Sequence, residues 1–283
     1  MRIGFITCVR LGESCLEELA TLGANLVYLG TLSDHIAPNK SGRVYLDDFA
    51  SAHAIPLHKF RNMNDDDAVA AVRGAELDWL YVIGWSQIAK TEILGTPAKG
   101  VLGIHPTLLP VGRGRASIPW AIIKGLEETG VTMFKLDEGV DTGPILGQVQ
   151  VPIEADETSG TLYNKVIEAH RTLIRETFPG VADGTIRLTA QDESQATEWP
   201  GRTPDDGELR PEQMSAAEVD RHVRALTRPY PGAFVKTSST EKLRIWQGHI
   251  GENVAGLVIR TASGAYTATD YDVERLTAGE GCQ

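Results

Sequence analysis

Two residues of this chain are placed to do chemistry together. His105 follows the apolar run Val101–Ile104, and Asp141 sits 36 residues later in the turn DEGVDTGP, behind a second apolar run, Val131–Lys135. An imidazole titrates near neutrality, so it accepts a proton in one step and returns it in the next. A carboxylate beside it orients the ring and favours its charged form. The stretch containing His105, GIHPTLLPVGRGRASIPW (Gly103–Trp120), is stiffened by prolines and bent by glycines. Its Arg113 and Arg115 suit a phosphate or carboxylate on an incoming substrate. Each residue taken alone also has a bland reading: a histidine before proline as a structural group, Asp141 as a turn former, the arginines as solvated charges.

Other chemistries lack their residues. There is no GxxxxGK[ST] loop, no GxSxG elbow and no HExxH. GRGRAS supplies only two glycines of a dinucleotide fingerprint and does not follow the first strand. Cys8, Cys15 and Cys282 form no CxxC, which points to reduced thiols and against structural zinc. His35, His53, His58, His170, His222 and His249 read as surface or helix residues. No metal site is expected.

To bring His105 and Asp141 together, the fold must set strand ends side by side. Arg2–Thr7 and Asn25–Leu29 read as strands around a helix, Glu13–Leu22, whose Cys15, Leu16, Leu19 and Leu22 recur at helical spacing. Asp65–Arg73 reads as a helix, and Trp79–Ile83 as a strand buried on both faces. The region from Ser117 to Lys124 starts as a helix, and Gln148–Val151 returns to strand character. This alternation predicts an α/β fold with a mostly parallel, doubly wound sheet, whose ligands bind at the carboxyl edge. A long helix, Thr158–Phe178, closes a first domain at 1–188. The polar, turn-rich segment 189–210, with WPGRTPDDG, reads as a linker. Residues 211–283 then read as a small β-rich domain: a helix, Ala216–Leu226, and strands at Phe234–Thr237, Lys242–Gln247, Gly256–Thr261 and Ala265–Thr269.

Composition bounds the partners. With 42% hydrophobic and 23% charged residues, the 283-residue chain reads as an ordinary globular protein. No apolar run is long enough to span a membrane, and Met1–Cys8 is too short for a secretory signal, so a cytoplasmic location is expected. Twenty-seven Lys and Arg against 38 Asp and Glu give a net charge of −11, which disfavours nucleic acid.

The run Gly84–Leu146 resembles the folate-dependent formyltransferases, the family of methionyl-tRNA, glycinamide-ribonucleotide and amino-sugar formyltransferases. The resemblance rests on HPTLLP, the RG loop, PWAII, GVT and DEGVDTGPIL in order, and extends to VRALTRPYPGAF. It implies a Rossmann-like catalytic domain, an OB-like C-terminal domain, and transfer of a formyl group from 10-formyltetrahydrofolate to an amine. On this analogy His105 carries the proton, and Asp141 holds His105 and a water. The pterin lies between Ile83, Gly84, Trp85, Ser86, Gln87, Ile88 on one side and Leu136, Asp137, Gly139, Val140, Asp141 on the other, with Trp85 either closing the pocket or packing in the core.

The chain departs from the family pattern, Asn-x-His plus Asp, by placing Gly103 where the asparagine stands. That amide would donate to the developing oxyanion, and losing such a donor typically lowers rates about a hundredfold or more. Ser86, Gln87 and Thr107 are the candidate substitutes, Thr107 also as a substrate contact. The acidic charge and short C-terminal region favour a small amine, a nucleotide-linked amino sugar or a secondary-metabolite amine, over methionyl-tRNA. Gly103 also admits a 10-formyltetrahydrofolate hydrolase or a non-catalytic folate-binding protein. The expected partners are thus a small amine and folate, without a membrane, with a homodimer as the assembly to test.

Overall fold

The computed structural model describes residues 1–38, 40–252 and 254–275. Cys282 and the end of the 211–283 segment lie outside the described residues. The first part alternates as β1 (Ile3–Ile6), α1 (Arg10–Thr21), β2 (Leu26–Leu32), α2 (Asp47–Ala52), β3 (Leu57–Phe60), α3 (Asp66–Gly74), β4 (Trp79–Ile83), α4 (Thr91–Leu94) and β5 (Gly100–His105). β4 and β5 are buried at every residue, as strands covered on both faces must be. α1 buries Leu11, Cys15, Leu16 and Leu19. Leu22, expected on the same stripe, is its C-cap and is exposed.

There follow β6 (Arg113–Gly114), α5 (Ser117–Ile123), β7 (Glu128–Lys135), β8 (Ile145–Pro152), α6 (Ser159–Asp183), β9 (Glu198–Trp199), α7 (Ala216–Leu226), β10 (Ala233–Ser238), β11 (Glu241–Ile250), β12 (Leu257–Arg260) and β13 (Ala265–Arg275). The main sheet runs β3-β2-β1-β4-β5-β7-β8. Its first five strands pair in parallel, and β7 lies antiparallel to β5 with Thr132 opposite His105. The α/β class and mostly parallel sheet read from the sequence are therefore present. α6 continues through Pro179 to Asp183, beyond the expected end at Phe178. His170, read as a surface or helix residue, is on this helix and lies buried with Val166, Leu173 and Ile174.

The chain divides into two compact units that cross the boundaries expected at 188 and 210. One comprises 1–114, 129–151 and 165–198; the other comprises 115–128, 152–164 and the chain from Trp199 onward. Residues 189–198 join the first unit because their polar groups are engaged there: Thr189 exchanges two backbone hydrogen bonds with Ile145, and Gln191 and Thr197 bond to other parts of that unit. Turn-rich composition alone did not distinguish such a strap from a linker.

In the second unit, β10-β11-β13-β12 form an antiparallel sheet. α7 buries Val219 and Val223, and its start is closed by a capping box in which Ser215 and Glu218 bond each other's backbone N–H.

Candidate active site

β5 delivers His105 to the carboxyl edge of the main sheet, and Pro106 behind it biases the chain to leave the strand extended. The loop then turns back through Gly112 and Gly114, whose φ of 74° and 106° lie where L side chains rarely go. This directs the Gly112 carbonyl at His105 Nε2, 2.8 Å away. A carbonyl only accepts, so Nε2 carries the proton. On the other side of the ring, Nδ1 is 3.4 Å from Asp141 Oδ2. That oxygen also accepts the Gly114 N–H at 2.9 Å. The loop thus supplies one group to the imidazole and one to its carboxylate partner. Asp141 adopts φ 55°, a left-handed conformation that aspartate tolerates better than most residues. Its side chain is 20% exposed against 8% for His105, so the carboxylate is the more accessible member of the pair.

The donor question narrows at Gly103. A Cβ there would stand 2.7 Å from Leu136 Cδ2, so Leu136 already fills the space a side chain would need. Leu136 and Trp85 are half-buried against the core beneath the sheet edge. Of the three candidate substitutes, two are engaged elsewhere. Gln87 Oε1 accepts from the Met63 N–H (2.9 Å) and Trp85 Nε1 (3.3 Å), while its Nε2 donates to Arg61 O (2.9 Å). Thr107 is buried, with its hydroxyl 3.5 Å from the same Gly112 carbonyl. That position also removes it from the expected substrate contacts. Ser86 is exposed and accepts from Lys40 Nζ at 3.0 Å, which leaves its hydroxyl proton available to a ligand.

Arg113, expected to face substrate, is buried. Its Nη1 and Nη2 form a fork with Glu193 at 2.9 and 2.7 Å, and Nε and Nη2 reach Gln191 Oε1 at 3.2 and 2.8 Å. The Glu193 pairing raises the arginine's pKa and lowers the carboxyl's, each hydrogen bond favouring the charged form. Arg115 remains exposed.

The expected pterin-binding segments have the following geometry. Ile83 is buried at the end of β4, and Gly84 takes φ 66° against Val9, where a Cβ would meet Cγ2 at 2.3 Å. Trp85 packs edge-on to Phe60, with ring centroids 5.6 Å apart. Ile88 and Val140 are exposed apolar side chains. Asp137 accepts from the Gly139 N–H (3.1 Å) and Thr142 Oγ1 (2.6 Å), which tightens the second turn. Thr91 donates to Glu138 at 2.8 Å, so this turn is fastened to the start of α4. Among the described residues no cluster of three metal-ligating side chains occurs.

The roles of Gln191 and Glu193 in the site, and the burial of His170, escaped the sequence reading. Gln191 and Glu193 lay in the presumed linker, and a glutamine carries no titratable signal. His170 is buried on α6, its pKa lowered to about 4 mainly by burial; the Val166 carbonyl, which accepts from Nδ1 at 2.7 Å, opposes this, and the charge of His105 adds to it. The i, i+4 spacing of Val166 and His170 on an apolar helix face was the available signal for its burial.

Residues 33–177 match the Formyl transferase family, and residues 202–270 match the Formyl transferase, C-terminal domain. The methionyl-tRNA formyltransferase of Lachnospira eligens is 30% identical over 257 residues, covering 90% of this chain and 81% of that protein. HypX from Aquifex aeolicus, solved in complex with tetrahydrofolic acid, superposes with a TM-score of 0.69 at 20% identity. The match covers 96% of this chain and 44% of HypX, so the chain spans less than half of that protein. A sugar N-formyltransferase from a Shewanella species gives a TM-score of 0.71 at 18% identity over 87% of this chain and 97% of the other.

Proposed function

The chain belongs to the formyl transferase family, and from that premise we propose that it moves a formyl group from 10-formyltetrahydrofolate to the amino group of a small substrate, a nucleotide-linked amino sugar or a secondary-metabolite amine. The observation that carries this reading is the approach of His105 Nδ1 to Asp141 Oδ2, 3.4 Å at the carboxyl edge of the sheet. Attack of an amine on the formyl carbon leaves a proton to be removed from the new N–H, and the departing folate nitrogen must gain one. His105 and Asp141 move that proton, the carboxylate edge meeting the amine first.

The exposed Ile88 and Val140 suit the faces of a flat heterocycle, and the backbone of the two turns supplies its polar contacts. Of the three candidate donors for the developing oxyanion, Gln87 and Thr107 already donate to backbone carbonyls, and we assign the role to Ser86, whose hydroxyl accepts from Lys40. A net charge of −11 favours a small acceptor over a polyanion, and the Shewanella neighbour is named for a sugar.

Two other readings each have an observation behind them. The Lachnospira eligens relative favours methionyl-tRNA as the acceptor. The filling of the Gly103 site by Leu136 favours hydrolysis of the folate, or binding without turnover. One experiment separates them: incubation with 10-formyltetrahydrofolate while tetrahydrofolate release is followed, without an amine, with a panel of amino sugars on nucleotides and other amines, and with methionyl-tRNA. Release that depends on a small amine supports the proposal. Formate production without any amine, formylation of methionyl-tRNA alone, or folate binding without turnover overturns it.

A further inference from the structure

We propose that Gln191 is a positioning residue for the His105–Asp141 pair, acting from a strap, residues 191–197, that grips the backbone carrying two of the groups His105 faces, the Asp141 carboxylate and the Gly112 carbonyl. The inference rests on the catalytic reading of that pair. The two ends of the strap do different things. At one end, Gln191 Nε2 donates to the carbonyls of Asp141 and Gly143, both at 2.8 Å. This clamps the backbone around the left-handed Asp141, whose φ of 55° a free loop would readily relax. At the other end, Thr197 accepts the Gly112 N–H through Oγ1 (2.9 Å) and the Arg113 N–H through its carbonyl (2.9 Å), while its own N–H donates to Pro110 O (3.2 Å). These bonds hold the loop that aims the Gly112 carbonyl at His105 Nε2 and the Gly114 N–H at the Asp141 carboxylate.

Between the ends, Arg113 ties loop to strap. Its guanidinium donates to Gln191 Oε1, which fixes which end of the amide faces Asp141, and its other bonds go to Glu193. The Gln191 amide is therefore used at both ends: oxygen to a cation, nitrogen to two carbonyls. Glutamate would be the same size but would face those carbonyls with oxygen, so only the amide satisfies all its neighbours. The strap acts on chemistry without touching substrate. It sets the distance between imidazole and carboxylate, and a misplacement of about 1 Å at reacting groups can lower rates about a hundredfold.

The test reads the ring directly. The protein is labelled with ¹⁵N-histidine, and the His105 ring resonances are assigned by their loss in His105→Ala and recorded without ligand in wild type, Asp141→Asn, Gln191→Ala and Gln191→Glu. Both Gln191 variants should displace the His105 resonances in the direction that Asp141→Asn does. Where transfer is measurable, kcat should fall about tenfold to a hundredfold, with KM for 10-formyltetrahydrofolate changed by less than about threefold. Should Gln191→Ala fail to fold, Glu193→Gln loosens the same network from its exposed end and should give the same displacement in smaller degree. Unchanged His105 resonances in a folded Gln191 variant, or in Glu193→Gln where neither Gln191 variant folds, overturn the proposal. Wild-type protein without transferase activity would refute the proposed function, while the ring spectrum would still decide the role of the strap.

Discussion

Gly103 and Leu136 share one volume, and what each does depends on the other. Restoring the family's amide with Gly103→Asn puts a Cβ 2.7 Å from Leu136 Cδ2, an overpacking that should destabilise the protein by about 1–3 kcal/mol. Gly103→Asn/Leu136→Ala should recover part of that loss and transfer formyl groups faster than Leu136→Ala alone. Denaturant midpoints and rates on the four members of the cycle measure the coupling; strict additivity would mean that the two side chains do not compete. The pair at the centre of the site is tested more directly. Asp141→Asn keeps an acceptor for the Gly114 N–H but loses the charge facing His105, so it should lower kcat about a hundredfold or more with an unchanged circular dichroism spectrum. At this scale the sequence revealed groups that titrate. It did not reveal that Arg113 is buried against Glu193, or that Thr107 and Gln87 are engaged, because neither burial nor hydrogen-bond partners follow from residue type in a loop.

Elements add properties that no single residue has. α6 holds His170 in an apolar face, neutral, with its pKa lowered to about 4 by burial. In the unfolded chain the same imidazole protonates near its ordinary value of about 6.5. The unfolded state therefore binds more protons between those values, and stability falls as pH drops through that window, by about 3 kcal/mol for this group. Thermal melts at pH 7 and pH 4.5 should show a smaller loss in His170→Gln than in wild type; equal losses would mean that another group governs the acid limb. At α7, Ser215→Ala removes the acceptor for the Glu218 N–H and should cost about 1 kcal/mol in a denaturant titration. Long amphipathic helices and fully buried strands were legible because one face, or both, repeats at the period of the element. α2, β3 and α4 were missed: four to six residues are too few to show a period, and β3 is only partly buried over most of its length. β13 runs to Arg275, beyond the expected end at Thr269, because its acidic residues are matched across the strand pair, Asp272 with Trp246 Nε1 and Glu274 with Arg244.

At the scale of the whole chain, sequence order and spatial membership part company. The first unit is assembled from three separate segments, the last of which returns at 165–198 to bind the loop and turn that meet at the His105–Asp141 pair. A linear scan for composition changes draws boundaries where the chain becomes polar. Most of those polar side chains are exposed, but Gln191, Glu193 and Thr197 bond to the loop and turn of the site. Charge, by contrast, is a sum and needs no coordinates. An excess of 38 acidic over 27 basic residues should repel a polyanion at long range. Binding of methionyl-tRNA, followed by filter retention between about 50 and 200 mM salt, should therefore be weak and change little. A protein that neutralises 6–10 phosphates would instead lose roughly a thousandfold or more in affinity over that range. A steep slope would reveal a local basic surface able to override the mean charge, and would shift the acceptor from a small amine to tRNA.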